Sequence, residues 1–73
     1  MNLIKEFRQF MGLSLADFGK RVGCSGNAIW FYENYKRAPA WRTSLRIKEL
    51  AIDHGYPEFT LDELYKEYER ETT

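Results

Sequence analysis

The stretch from Leu15 to Glu33 constrains the fold most, because it holds two apolar-striped segments with only Gly23-Cys24-Ser25 between them. Leu15, Phe18 and Val22 recur at the spacing of one helical face. Ile29 and Tyr32 give the following segment an inward face of its own. With so short a connection the two helices must pack against each other directly. Gly19 stands where they would cross, and only a small residue fits a close crossing. Gly23 suits the positive φ that the turn needs. Ser25 is a good N-cap for the second helix. Apolar, small, turn and capping positions together read as a helix-turn-helix.

The flanking sequence follows helical grammar too, and strand-like alternation is absent. A first helix is expected over Leu3 to Met11, with Leu3, Ile4, Phe7 and Phe10 or Met11 on one face and Gly12 as a left-handed cap. Ser14 caps the second helix, and Asp17 supplies an acid to its first turn. The third runs over Gly26 to Asn34 with Ala28, Ile29 and Tyr32 inward. Tyr35 to Ala40 form a basic loop, in which Pro39 disfavours helix at the residue before it. The fourth helix is expected from Trp41 to Asp53 or His54, offering Trp41, Leu45, Ile47 and Ala51 or Ile52 to the core. Gly55 caps it, Pro57 prevents continuation, and His54 complements its C-terminal end. In the last segment Thr60 and Glu63 form a capping box, and Phe59 and Leu64 a hydrophobic staple. Leu61, Leu64, Tyr65 and Tyr68 make the stripe of a fifth helix that frays toward Thr73.

A chain of 73 residues is one domain, and one this small buries only about 60% of its unfolded surface. The expected division is a four-helix core over 1–55 and a capped C-terminal helix over 56–73, a possible dimer contact. Cys24 is the only cysteine and His54 the only histidine, so neither an intramolecular disulfide nor a Cys/His metal cluster can be assembled. Cys24 reads as a small buried turn residue. No nucleophile–base pair or phosphate loop is present. An enzyme, a cofactor and a small-molecule ligand are therefore not expected. No apolar run approaches the ~20 residues of a membrane span. The charged N-terminus does not read as a signal peptide, which leaves the cytoplasm as the expected compartment.

The net charge is zero, but its distribution is uneven. Residues 1–48 carry nine basic against three acidic side chains, a balance of +6. Residues 49–73 carry two against eight, a balance of −6. A basic body followed by an acidic tail suits a polyanionic partner for the body, although two solvated surfaces would look the same.

The region from Leu3 to Ala51 resembles the DNA-binding domain of phage repressors, Cro proteins and their bacterial relatives. The residues that carry the resemblance are Gly12-Leu13-Ser14, Phe18-Gly19, Val22-Gly23-Cys24-Ser25, Ala28-Ile29, Glu33, the basic loop with Pro39, and Leu45-Arg46-Ile47. Leu45 to Ala51 leading to Phe59 to Leu64 is also similar to small Cro-type proteins. The resemblance implies an all-α, compact five-helix lambda-repressor-like domain whose helices two and three form the helix-turn-helix. It implies an operator-binding transcriptional regulator, repressor- or Cro-like, working as a homodimer at least on double-stranded DNA.

On that reading Gly26, Asn27, Trp30 and Phe31 occupy the base-reading face of helix three. Gly26 permits close approach, Asn27 suits paired hydrogen bonds to adenine, and the two aromatics suit thymine methyls. Ser14, Ser25, Lys36, Arg37 and Arg42 would follow the phosphate backbone. Leu61, Leu64, Tyr65 and Tyr68 are the dimer candidates. Leu15 departs from the family, which often has Gln at that position. The aromatic face of helix three also departs from it and leaves a second reading open. That alternative is a protein-interaction module on the same fold, such as an antirepressor or an antitoxin-like partner.

Overall fold

A computed structural model describes residues 2–72 and contains five α-helices, with no strand among the described residues. They are α1 (Leu3–Met11), α2 (Leu15–Val22), α3 (Gly26–Glu33), α4 (Trp41–Asp53) and α5 (Leu61–Thr72). The fraying expected at Thr73 lies outside the described residues. Each boundary has a local cause. The side chains of Asn2, Ser14 and Ser25 accept from the backbone N–H three residues on, at 2.9, 3.1 and 3.1 Å. Thr60 does the same for Glu63 at 3.2 Å, so α5 starts where the capping sequence places it. α4 has no side-chain cap at Ala40. Its other end is closed by His54, whose Nδ1 meets the Leu50 carbonyl at 3.0 Å.

The core is built around Phe7, which is fully buried. Phe18 meets it edge-on with ring centroids 5.8 Å apart, and Tyr56 and Phe59 lie at 5.1 and 6.0 Å. Ile4, Val22, Ile29, Ile47 and Ala51 complete the cluster from α1 to α4. α5 adds Leu64 at 0% and Tyr68 at 6% exposure. Phe59, Leu64 and Tyr68 join the buried cluster that Ile4, Phe7, Phe18, Val22, Ile29, Tyr32, Ile47 and Ala51 form within residues 1–55. Leu64 and Tyr68 are therefore not available as dimer contacts, whereas Tyr65 is exposed and Leu61 half-buried. α4 also departs from expectation. Ser44, Ile47 and Ala51 form its buried face, and Trp41 and Ile52 point outward.

Polar ties close the fold across long sequence separations. Both oxygens of the buried Glu67 carboxylate accept from the Leu3 N–H at 3.0 Å, placing a carboxylate at the N-terminus of α1. Asn2 Nδ2 donates to the Tyr32 carbonyl at 3.1 Å, and the Tyr68 hydroxyl donates to the same oxygen. The Tyr35 ring rests edge-on against Tyr68, 5.2 Å between centroids. Burial pushes the Tyr68 hydroxyl pKa up. Burial, with Glu67 nearby, pushes Tyr35 up to about 12. Burial raises Tyr32 and Tyr56 as well.

These shifts set an alkaline limit. Below the ordinary tyrosine pKa of about 10 the phenols are protonated in folded and unfolded chains alike, and stability is unaffected. From there to about 12 the unfolded chain releases protons that the folded one keeps, so stability falls as pH rises. The melting temperature followed by circular dichroism is expected to drop steadily over that window. Tyr35→Phe is expected to make the decline shallower. A melting temperature unchanged across the window would show that the phenols ionise without loss of the fold.

Candidate nucleic-acid interface

α2 and α3 meet as closely as the sequence suggests. A Cβ on Gly19 would run into the carbonyl oxygen of Cys24, so the connection passes directly over this residue. The Cys24 N–H donates to the Gly19 carbonyl at 2.8 Å, and Gly23 adopts φ 77°. Gly26 serves the same junction from the other side. A Cβ there would lie 3.1 Å from the backbone nitrogen of Ala16. Gly26 therefore faces α2, which corrects its assignment to the base-reading surface: its missing side chain admits α2 rather than a ligand.

Ile29, Tyr32 and Glu33 are the buried side of α3. Glu33 is fixed by Arg8 of α1 through a two-pronged pair, Nε–Oε2 at 2.7 Å and Nη2–Oε1 at 3.0 Å. Arg8 also donates from Nη1 to the Leu13 carbonyl at 2.9 Å, and its hydrogen bond to Glu33 raises its pKa. Glu33 is a residue of the family resemblance, but nothing in local spacing points to Arg8, which is 25 residues away. The pair locks the rotation of α3 against α1.

The opposite side of α3 carries Asn27, which is exposed, Trp30 at 42% exposure, and the half-buried Phe31. Trp30 and Phe31 meet edge-on at 5.6 Å. Past the helix, Tyr35 takes a left-handed conformation, φ 57°, and turns the chain back. The N–H groups of Lys36 and Arg37 then both donate to the Phe31 carbonyl, at 2.9 and 3.4 Å. The Arg37 guanidinium lies over the Phe31 ring, 5.5 Å from its centroid. The Arg37 side chain is thus anchored beside the Trp30–Phe31 surface, and the Lys36 backbone is held there while the residue stays exposed. Arg42 is exposed on the first turn of α4.

Comparison with family models, curated proteins and solved structures finds no match.

The site is accordingly read from its own chemistry. Ser14 and Ser25 are exposed, and each hydroxyl oxygen is occupied by a backbone N–H, which leaves its hydrogen to donate outward. Asn27 is exposed in the first turn of α3, and Trp30 presents one N–H and a ring. The sequence indicated the aromatic face and the basic loop separately. It did not indicate that Arg37 would be stacked on Phe31. A basic residue six positions after an aromatic is too common a spacing to carry that meaning. Among the described residues there is no group of acids, histidine and cysteine that could hold a metal, and no helix long and apolar enough to cross a membrane.

Proposed function

We propose that this protein is a sequence-specific double-stranded DNA-binding regulator of transcription, two copies occupying one operator, with α3 as the element that enters the major groove. One observation carries the reading. α3 is held rigidly on its inner side by the Gly19 and Gly26 contacts and the Arg8–Glu33 pair. Its outer side offers Asn27 and Trp30, with the Arg37 guanidinium over Phe31 and the exposed Lys36 tied alongside through its backbone N–H. A rigid short helix with an outward amide, aromatic surface and flanking cations suits base edges and thymine methyls between two phosphate backbones. Arg42 adds a cation at the start of α4, and the Ser14 and Ser25 hydroxyls add donors at two helix N-termini.

The test is binding to duplexes selected from a random pool, followed by fluorescence anisotropy across a salt series. Selected half-sites are expected to be A·T-biased. Lys36→Ala should reduce the slope of log affinity against log salt by about 1 and weaken all sequences alike. Asn27→Ala should cost about 1–3 kcal/mol at one base pair and relax preference there. Trp30→Ala should weaken thymine-containing sites and leave the salt slope unchanged. The exposed Trp30 ring also favours a second reading, a protein-interaction module. If Trp30→Ala keeps full DNA binding but loses a protein partner, that second reading replaces the first.

A further inference from the structure

Phe31 points away from the core and is nevertheless half-buried. Ile29, Tyr32 and Glu33 form the buried side of α3. At 100° per residue, Phe31 stands roughly 150° round the helix from the middle of that side, and Asn27 roughly 170°. The two share the outermost line of α3, one turn apart, with Trp30 to one side. Phe31 is covered by the edge of Trp30, ring centroids 5.6 Å apart, and by Arg37, whose guanidinium carbon lies 5.5 Å from the ring centroid. Arg37 therefore does not stand off in the loop, as sequence order alone suggests. The left-handed turn at Tyr35 and the Arg37 N–H on the Phe31 carbonyl fold the loop back, and the side chain lies over the outer line of the helix. Arg37 remains exposed, and among the described residues no carboxylate or carbonyl accepts from its guanidinium.

We infer that Arg37 reads the edge of a guanine in the major groove, alongside Asn27, and is not a phosphate contact. This role belongs to the proposed DNA-binding surface and rests on that reading. It departs from the family resemblance, in which this loop follows the DNA backbone. If the outer line of α3 approaches the base edges, the guanidinium goes with it, because it sits on that line. The Phe31 ring beneath holds the plane of the guanidinium, so little freedom is lost when its fork of N–H groups meets a planar partner. That fork matches the O6 and N7 acceptors that guanine presents together in the major groove. Adenine places an amino donor where guanine has O6, and the fork cannot pair with it. Asn27 and Phe31 are one turn apart, about 6 Å along the helix, or roughly two base-pair steps. With α3 along the groove, each half-site carries a G·C pair about two positions from the A·T pair that Asn27 reads.

The experiment takes the duplex that the full chain selects from a random pool and competes it, by anisotropy, against the same duplex with this G·C pair changed to A·T. The wild type is expected to bind the changed duplex about five- to hundredfold more weakly. Arg37→Lys keeps the charge without the planar fork. It should bind both duplexes alike and keep the salt slope of the wild type. Phe31→Leu keeps an apolar side chain and removes the ring beneath the guanidinium. It should lose the same discrimination while the A·T preference at the Asn27 position remains. Arg37 is exposed, so Arg37→Lys should leave the helical circular dichroism unchanged, and it decides the outcome even if Phe31→Leu fails to fold. Selected sites without a G·C pair, or an Arg37→Lys chain that discriminates like the wild type, would overturn the role. An Arg37→Ala chain that weakens every duplex alike and lowers the salt slope by about 1 would overturn it too, as the signature of a phosphate contact. Failure of the DNA reading itself looks different: the wild type then enriches no sequence and binds no duplex, and the guanine-reading role falls with it.

Discussion

A chain that ends at Pro57 is expected to lose cooperative folding altogether. Such a truncation removes Phe59, Leu64 and Tyr68 from the core, at 3%, 0% and 6% exposure, and opens one side of Phe7. Truncating a single buried Leu or Phe to Ala costs about 2–5 kcal/mol. A domain of this length is held by about 4–11 kcal/mol in total, so the loss of all three exceeds what the remaining helices can sustain. Glu67 departs as well, leaving the first N–H of α1 without its carboxylate. The measurement is thermal denaturation followed by circular dichroism, with residues 1–57 showing no sigmoidal transition. Leu64→Ala is the milder companion and should melt cooperatively at a markedly lower temperature. Were residues 1–57 to melt as sharply as the full chain, α5 would be an appendage and its buried stripe a docking surface after all.

The second large effect is expected at Glu33. Glu33→Ala strands the Arg8 guanidinium, whose side chain is only 15% exposed, against a site from which water is largely excluded. Breaking one partner of such a pair costs about 3–5 kcal/mol, because the remaining charge stays desolvated. Replacing both partners together, as Arg8→Met with Glu33→Leu, should return most of that stability, since the desolvation of both charges disappears with them. Chemical denaturation of the wild type, the two single variants and the double variant gives the coupling directly. A single-variant loss below about 1 kcal/mol would place the pair among ordinary surface contacts. The two variants also bear on the outer face of α3. A helix freed to rotate presents Asn27 and Trp30 less accurately, so any ligand affinity should fall in the Glu33→Ala chain before its global fold is lost.

All five helices and nearly all their ends are legible in the sequence, because caps, glycines and prolines act over three or four residues. Ser14, Ser25, Thr60, Gly23 and Gly55 each do their work within one turn of chain. The faces of the long helices are less legible. Trp41 and Ile52 are apolar, and apolarity alone does not distinguish core from an uncovered surface. On α4 the buried side is Ser44, Ile47 and Ala51, so a serine lies wholly inside the fold while Trp41 stays outside. For α5 the stripe is legible as apolar, but not whether it closes the core or meets a second copy; Leu64 and Tyr68 lie inside the fold and Tyr65 outside. One local pattern serves a core equally well, and the deciding contacts lie at the other end of the chain. The same holds for Arg8, Glu33, Asn2 and Glu67, whose partners have no local signature. At the candidate site, Asn27 and Trp30 stand outward as helical spacing suggests. Gly26 does not, because its neighbour Ala16 belongs to another helix.

The clasp between Asn2-Leu3 and Glu67-Tyr68 joins residues separated by 64 to 66 positions. That places a timing constraint on the nascent polypeptide. A ribosome adds roughly 5–20 residues per second, and helices α2 and α3, which are adjacent in sequence, can pair early in that interval. The first helix cannot gain its carboxylate, nor Phe7 its Phe59 neighbour, until the residues through Glu67 have been made and have cleared the exit tunnel. Helices α1 to α4 therefore emerge with Phe7 partly uncovered and close against α5 in a later step, which buries Asn2, Glu67 and Tyr68 together.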